Sequence, residues 1–146
     1  WDEGVSAYQG DYFQFEGVIS NPKPVQEGGV PLMIGGHSEA AAKRAGRYGD
    51  EFYPHWSTRG PDKEALETLW PFVMETAEAC GRDSDAVKLT LTSTSDAKTS
   101  RETAEFCREL GADRVVVLPP KGTLEGSLPD ELARFREEVL VPLGGE

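Results

Sequence analysis

The stretch Pro31-Leu-Met-Ile-Gly-Gly-His-Ser-Glu-Ala-Ala-Ala-Lys-Arg-Ala-Gly-Arg-Tyr-Gly-Asp50 decides the fold. Residues 31–34 read as a short apolar strand, and Gly35-Gly36 end it. Ser38 stands where a helix needs a capping oxygen, and Glu39 to Tyr48 form an alanine-rich helix that Gly49 can terminate. A strand passing through glycines into a helix is one βα unit. The question for the rest of the chain is how often that unit recurs.

Downstream it recurs three more times. Glu51 to Tyr53 is a short strand closed by Pro54, followed by a helical segment from Asp62 to Cys80. Leu66, Leu69, Val73, Ala77 and Cys80 lie three or four apart there, which sets them on one helix face. Pro71 interrupts that segment, so the helix kinks or a second helix begins. Val87 to Thr92 alternates as a third strand; its helix starts at a capping box, Thr99-Ser-Arg-Glu102, and ends at Gly111. Arg114 to Leu118 is a nearly all-apolar fourth strand, the pattern of a strand covered on both faces. Pro129 to Leu140 is the last helix, with Leu132, Phe135, Val139 and Leu140 inward.

Four strand–helix pairs imply a parallel sheet with right-handed crossovers, which a doubly wound sheet and a (β/α)8 barrel both satisfy. Upstream, residues 1–30 are rich in Gly, Pro and aromatics without a helical period, and read as an irregular or extended lead-in. The domain plan is therefore a lead-in over 1–30 and a (βα)4 unit over 31–146.

Charge and composition remove several function classes. With 15 basic and 26 acidic side chains the formal charge is -11, unsuited to a nucleic-acid backbone reader. No apolar run approaches the roughly 20 residues of a membrane span. Cys80 and Cys107 have no CxxC or paired spacing, which points to reduced thiols in a cytoplasmic setting. The chain opens on Trp1 rather than methionine, as expected of a piece cut from something longer.

The loops after the strands gather at one face of such a sheet, where α/β folds hold their ligands. Gly35 and Gly36 let a ligand approach the backbone, and the N–H groups of Gly36, His37 and Ser38 would face it with the helix dipole behind them, an arrangement suited to phosphate. The same turn can equally serve only to join strand to helix. His37 and His55, the two histidines, both fall on this face; His55 is the one candidate catalytic group, and neither has metal-ligand spacing. Phe52, Tyr53 and Trp56 are candidates to line a pocket for a flat ring, Lys121 beside Gly122 offers a second anion contact, and Asp50 reads as structural. No hydrolase signature is present.

Trp1-Asp2, Tyr8-Gln-Gly10-Asp-Tyr-Phe13-Gln-Phe15, Pro22-Lys-Pro24-Val-Gln26, Pro31-Leu-Met-Ile-Gly-Gly-His-Ser38, Ala41-Ala-Lys-Arg-Ala45, Gly49-Asp50, Ala79-Cys-Gly-Arg-Asp83 and Leu110-Gly-Ala-Asp-Arg-Val-Val-Val117 together resemble the C-terminal half of the luciferase-like monooxygenase family. That resemblance implies half of a TIM-type (β/α)8 barrel, binding coenzyme F420 by preference or FMN, with Gly35, Gly36, His37 and Ser38 at the cofactor phosphate. It implies an oxidoreductase or monooxygenase acting on a small organic substrate, and a missing N-terminal half or a second copy to complete the barrel as a homo-oligomer. Where the family commonly has Asp-Gly before an aromatic, this chain has Asp50-Glu51-Phe52. Two other readings stand beside it: a non-catalytic, self-assembling flavin- or phosphate-binding half-barrel, and a small doubly wound domain that takes any phosphate ligand.

Overall fold

The computed structural model describes residues 4–54, 62–93, 97–117 and 128–144. It divides into two compact units, Trp1–Pro31 and Leu32–Glu146, each treated by itself.

In the first unit, β1 (Ser6–Gln9) and β2 (Gln14–Val18) form an antiparallel hairpin, with Tyr8 opposite Phe15 and their rings stacked at 6.0 Å. The turn is closed by the Gly10 N–H donating to the Phe13 carbonyl at 2.9 Å. The expected irregular lead-in is thus in part a paired ribbon. Its sequence hides this because every residue of β2 is exposed: with no face buried, no alternation of apolar and polar residues is required.

The second unit is a four-stranded parallel sheet in the order β3 (Met33–Gly35), β4 (Glu51–Tyr53), β5 (Lys88–Ser93), β6 (Arg114–Val117). Three helices connect these strands: α1 (Glu39–Tyr48), α2 (Lys63–Ala79) and α3 (Ala97–Glu109). Phe52, Leu89 and Leu91 point from the sheet into one apolar core with Ala41, Ala42 and Ala45 of α1, Leu66, Leu69, Val73 and Ala77 of α2, and Phe106 and Cys107 of α3. All three helices therefore share one face of the sheet. A doubly wound sheet would carry helices on both faces, so the arrangement is that of a barrel wall.

Small residues set the closest helix approach: a Cβ on Gly46 of α1 would lie 2.3 Å from the Val73 carbonyl oxygen of α2. Pro71 neither ends α2 nor divides it. The proline is exposed, and Glu67, whose carbonyl it deprives of a donor, is an exposed residue as well. Of the expected apolar face, Cys80 alone is exposed, because the helix stops one residue before it. α3 starts at Ala97, which puts Thr99 inside its first turn rather than at the cap.

The last helix also departs from its pattern. α4 (Leu128–Phe135) passes into a π turn over Arg136–Leu140 and then a 3-10 turn over Val141–Leu143. The wider turn rotates the residues that a 3.6 period would align. Val139 is buried, while Leu132 and Leu140 are exposed and Phe135 is half-buried. On β6, Val115 packs against the core, while on the opposite face Arg114 is exposed and Val116 half-buried.

Candidate cofactor site

The turn after β3 is built by its own backbone. Gly36 has φ +122°, where a side chain is strained, and a Cβ there would meet the Ala41 Cβ at 2.8 Å. Gly36 is thus required by the turn whether or not a ligand binds. Gly35 differs: it is exposed, its φ is not in the left-handed region, and among the described residues an added Cβ would meet only the Tyr53 carbonyl oxygen, at 3.8 Å. Packing supplies no reason for its missing side chain.

Ser38 caps α1, its Oγ accepting from the Ala41 N–H at 3.3 Å and its carbonyl from Ala41 and Ala42 at 2.9 and 3.0 Å. Among the described residues, nothing accepts from the N–H groups of His37, Ser38, Glu39 or Ala40. These donors and the helix dipole behind them suit a phosphate. Charge bears on the anion's side of the turn. Toward α2 the turn borders an open groove of about 380 Å³ lined by His37, Ser38, Glu39, Asp62, Glu64 and Thr68. Glu39 is paired with Lys43 at 2.6 Å, but Asp62, whose Oδ1 caps α2 at Ala65, and Glu64 leave that groove negative. That charge weighs against a phosphate in the groove itself.

The other residues singled out from sequence separate. Phe52 is fully buried in the helix-side core, so it does not share a pocket with Tyr53, which lies on the opposite face of β4. Tyr53 Oη is 2.6 Å from Thr92 Oγ1 of β5. His55, Trp56, Lys121 and Gly122 lie outside the described residues. Asp50 is structural: its carboxylate accepts from the Leu32 N–H at 2.7 Å and its own N–H donates to the Leu32 carbonyl at 2.9 Å. Asp113 repeats this before β6, bonded both ways to Leu89 at 3.0 Å. Both clamps sit at the N-terminal end of the sheet, the end that bears on stability in such folds. Glu51, the departure from the family pattern, faces away from the helices and accepts from the Thr90 hydroxyl and from Arg114 Nη1 at 3.3 Å. Its carboxylate is neutralised across β4, β5 and β6. Among the described residues no group of His, Cys, Asp and Glu could hold a metal ion, and no helix is long and apolar enough to cross a membrane.

A one-sided α/β wall of four parallel strands, with a phosphate-suited turn at the strand ends, defines a class: half of a βα barrel. Residues 1–113 match the family described as luciferase-like monooxygenase, and the chain belongs to that family. Relatives named F420-dependent glucose-6-phosphate dehydrogenase are similar over part of the chain. That of Mycobacterium leprae is 40% identical over 81 residues, 55% of this chain and 23% of the relative. That of Mycobacterium tuberculosis is 36% identical over 88 residues, 60% of this chain and 25% of the relative.

Among solved structures, an F420-dependent secondary alcohol dehydrogenase superposes with a TM-score of 0.53 at 19% identity, covering 95% of this chain and 49% of the other. A riboflavin lyase holding modified FMN gives 0.59 at 14% identity, covering 92% and 49%. The fold is therefore the parallel (βα)4 half of a TIM-type barrel. The matched segment spans about a quarter of the curated relatives, and the chain about half of the solved ones.

Proposed function

We propose that this chain is the cofactor-binding half of an oxidoreductase that uses a deazaflavin of the F420 type, or FMN, to act on a small organic substrate. The observation that carries this reading is Gly35, a glycine that neither backbone conformation nor packing among the described residues demands, beside four backbone donors. The F420-dependent relatives favour the deazaflavin. Bound at this turn, the cofactor would supply hydride chemistry; the protein's part is to orient it and exclude water.

His37, Ser38, Glu39 and Ala40 would donate backbone N–H groups to the cofactor phosphate, with Gly35 leaving room for it. Gly36 shapes the turn, and Tyr53 lies beside the cofactor's path on the inner face. His55, two residues past Tyr53, is the candidate proton donor. Lys121 is a further candidate anion contact. The two free thiols suit a reducing, cytoplasmic setting.

Gly35→Val separates a ligand role from a structural one. Valine suits an exposed strand position, so the melting temperature should hold or rise slightly. Affinity for FMN and F420, read by fluorescence titration, should fall about tenfold or more, equivalent to ~1.4 kcal/mol. Gly36→Ala is uninformative by comparison because it strains the turn itself. Wild-type protein that binds neither cofactor, or a Gly35→Val variant with unchanged affinity, would remove the reading.

A further inference from the structure

The face of the sheet turned away from the helices is unequally covered. On β5, Thr90 and Thr92 are 0% and 4% exposed, whereas on β3 Met33 is 45% exposed and Gly35 is exposed as well. Tyr53 stands between these two regions. The parallel register sets it beside Gly35 on one side and, continuing the Phe52–Leu89 pairing, beside Thr90 on the other. Its hydroxyl reaches past Thr90 to Thr92, two residues nearer the C-terminal end of β5, at 2.6 Å. The ring therefore leans over β5 and away from Gly35.

We propose that Tyr53 is a positioning residue for the cofactor: Thr92 pins its ring over β5, which keeps the lane across Gly35 open and gives that lane a fixed aromatic wall. The proposal rests on the cofactor reading above and adds to it which residue shapes the path between the phosphate turn and the inner face. A tyrosine ring has two soft torsions and needs a second anchor to hold one orientation. The hydroxyl–hydroxyl bond to Thr92, at a part-buried site, is such an anchor. Losing the Thr92 bond loosens the ring's hold over β5, beside the open space at Gly35.

The test uses Tyr53→Phe, Thr92→Val and the double variant. Titrations with FMN, and with riboflavin, which lacks the phosphate, should show each single variant weakened about five- to tenfold for both ligands, the range expected from losing one hydrogen bond that fixes a contact. The double variant should lose less than the sum of the two single losses, since both changes remove the Tyr53–Thr92 bond. A structural role alone would lower the melting temperature without moving the affinities measured well below it.

The ring position has its own readout. In Thr92→Val the Gly35 amide resonance should shift as the ring's hold over β5 loosens. Unchanged affinities in Tyr53→Phe, additive losses in the double variant, or an unmoved Gly35 resonance would overturn the proposal. If wild-type protein binds FMN and Gly35→Val does not, while Tyr53→Phe binds normally, this inference falls and the cofactor reading stands. If wild-type protein does not bind at all, both fall.

Discussion

At the scale of single residues, the two cysteines show how position in the fold divides chemically identical groups. Cys107 is buried on α3 in the core, and burial pushes its thiol up to about 11 from an ordinary 9.0; Cys80, just past the end of α2, is exposed. A thiol reagent at pH 8 should therefore modify one cysteine rapidly in the native protein and both after denaturation; rapid modification of two would contradict the packing of α3. The same shift carries a pH dependence. A group whose folded pKa is raised favours the folded state below its unfolded value and loses that contribution as pH climbs through the folded one. Replacing Cys107 with Ala should therefore flatten the fall in stability between about pH 9 and pH 11, measured by thermal melts across that window. Gly35 and Gly36 pose a parallel contrast. Side by side in sequence they look like one motif, yet Gly36 answers to backbone strain and Gly35 to open space, a distinction that exists only in three dimensions.

At the scale of elements, α1 is held at its C-terminus by a residue far along the chain. Arg82 donates from Nη1 to the Gly46 carbonyl at 2.6 Å and from Nη2 to the Gly49 carbonyl at 2.7 Å, with the Asp50 carboxylate at 3.9 Å. A cation placed on the terminal carbonyls satisfies orphan acceptors and opposes the negative end of the helix dipole. Arg82→Ala should cost about 2 kcal/mol in urea denaturation, and Lys should restore only part, because an ammonium cannot span two carbonyls as a fork does. Equal stability of the alanine variant would show the contacts to be incidental.

What was legible at this scale follows from locality. The boundaries of α1 and the strand at Glu51–Tyr53 could be read because cap, glycine and apolar run are neighbours in sequence. Arg82 could be read only as part of a family-like run, since its partners lie 33 to 37 residues away. The hairpin, the π turn after α4 and the side of β4 that Phe52 takes were hidden for the same reason: each depends on what packs against it, or on nothing packing there at all. Of the candidate site, the turn was readable, whereas the lean of Tyr53 toward Thr92 was not.

At the scale of the whole molecule, the sheet order leaves β3 and β6 with one strand neighbour each among the described residues, and α1, α2 and α3 all pack on one face of the sheet. Unpaired edges favour association, and a barrel removes them by closure. Four strands are half of eight, so two copies related by a twofold axis along the barrel could pair β3 of each with β6 of the other and close; a discrete dimer is expected rather than a fibre. Against this acts the charge of -11 on every copy. That repulsion is long-ranged at low salt and is cut to a range of about 3 Å at 1 M, whereas strand pairing acts at contact and is little affected. The 146 residues produced alone should therefore shift from monomer toward dimer as salt rises from about 0.01 M, where the screening length is about 30 Å, to 1 M. Sedimentation velocity at the two ionic strengths measures this directly. A single monomeric species at both, melting cooperatively, would mean that the edges are already protected within the chain. The half-barrel would then be a finished domain rather than one awaiting its complement.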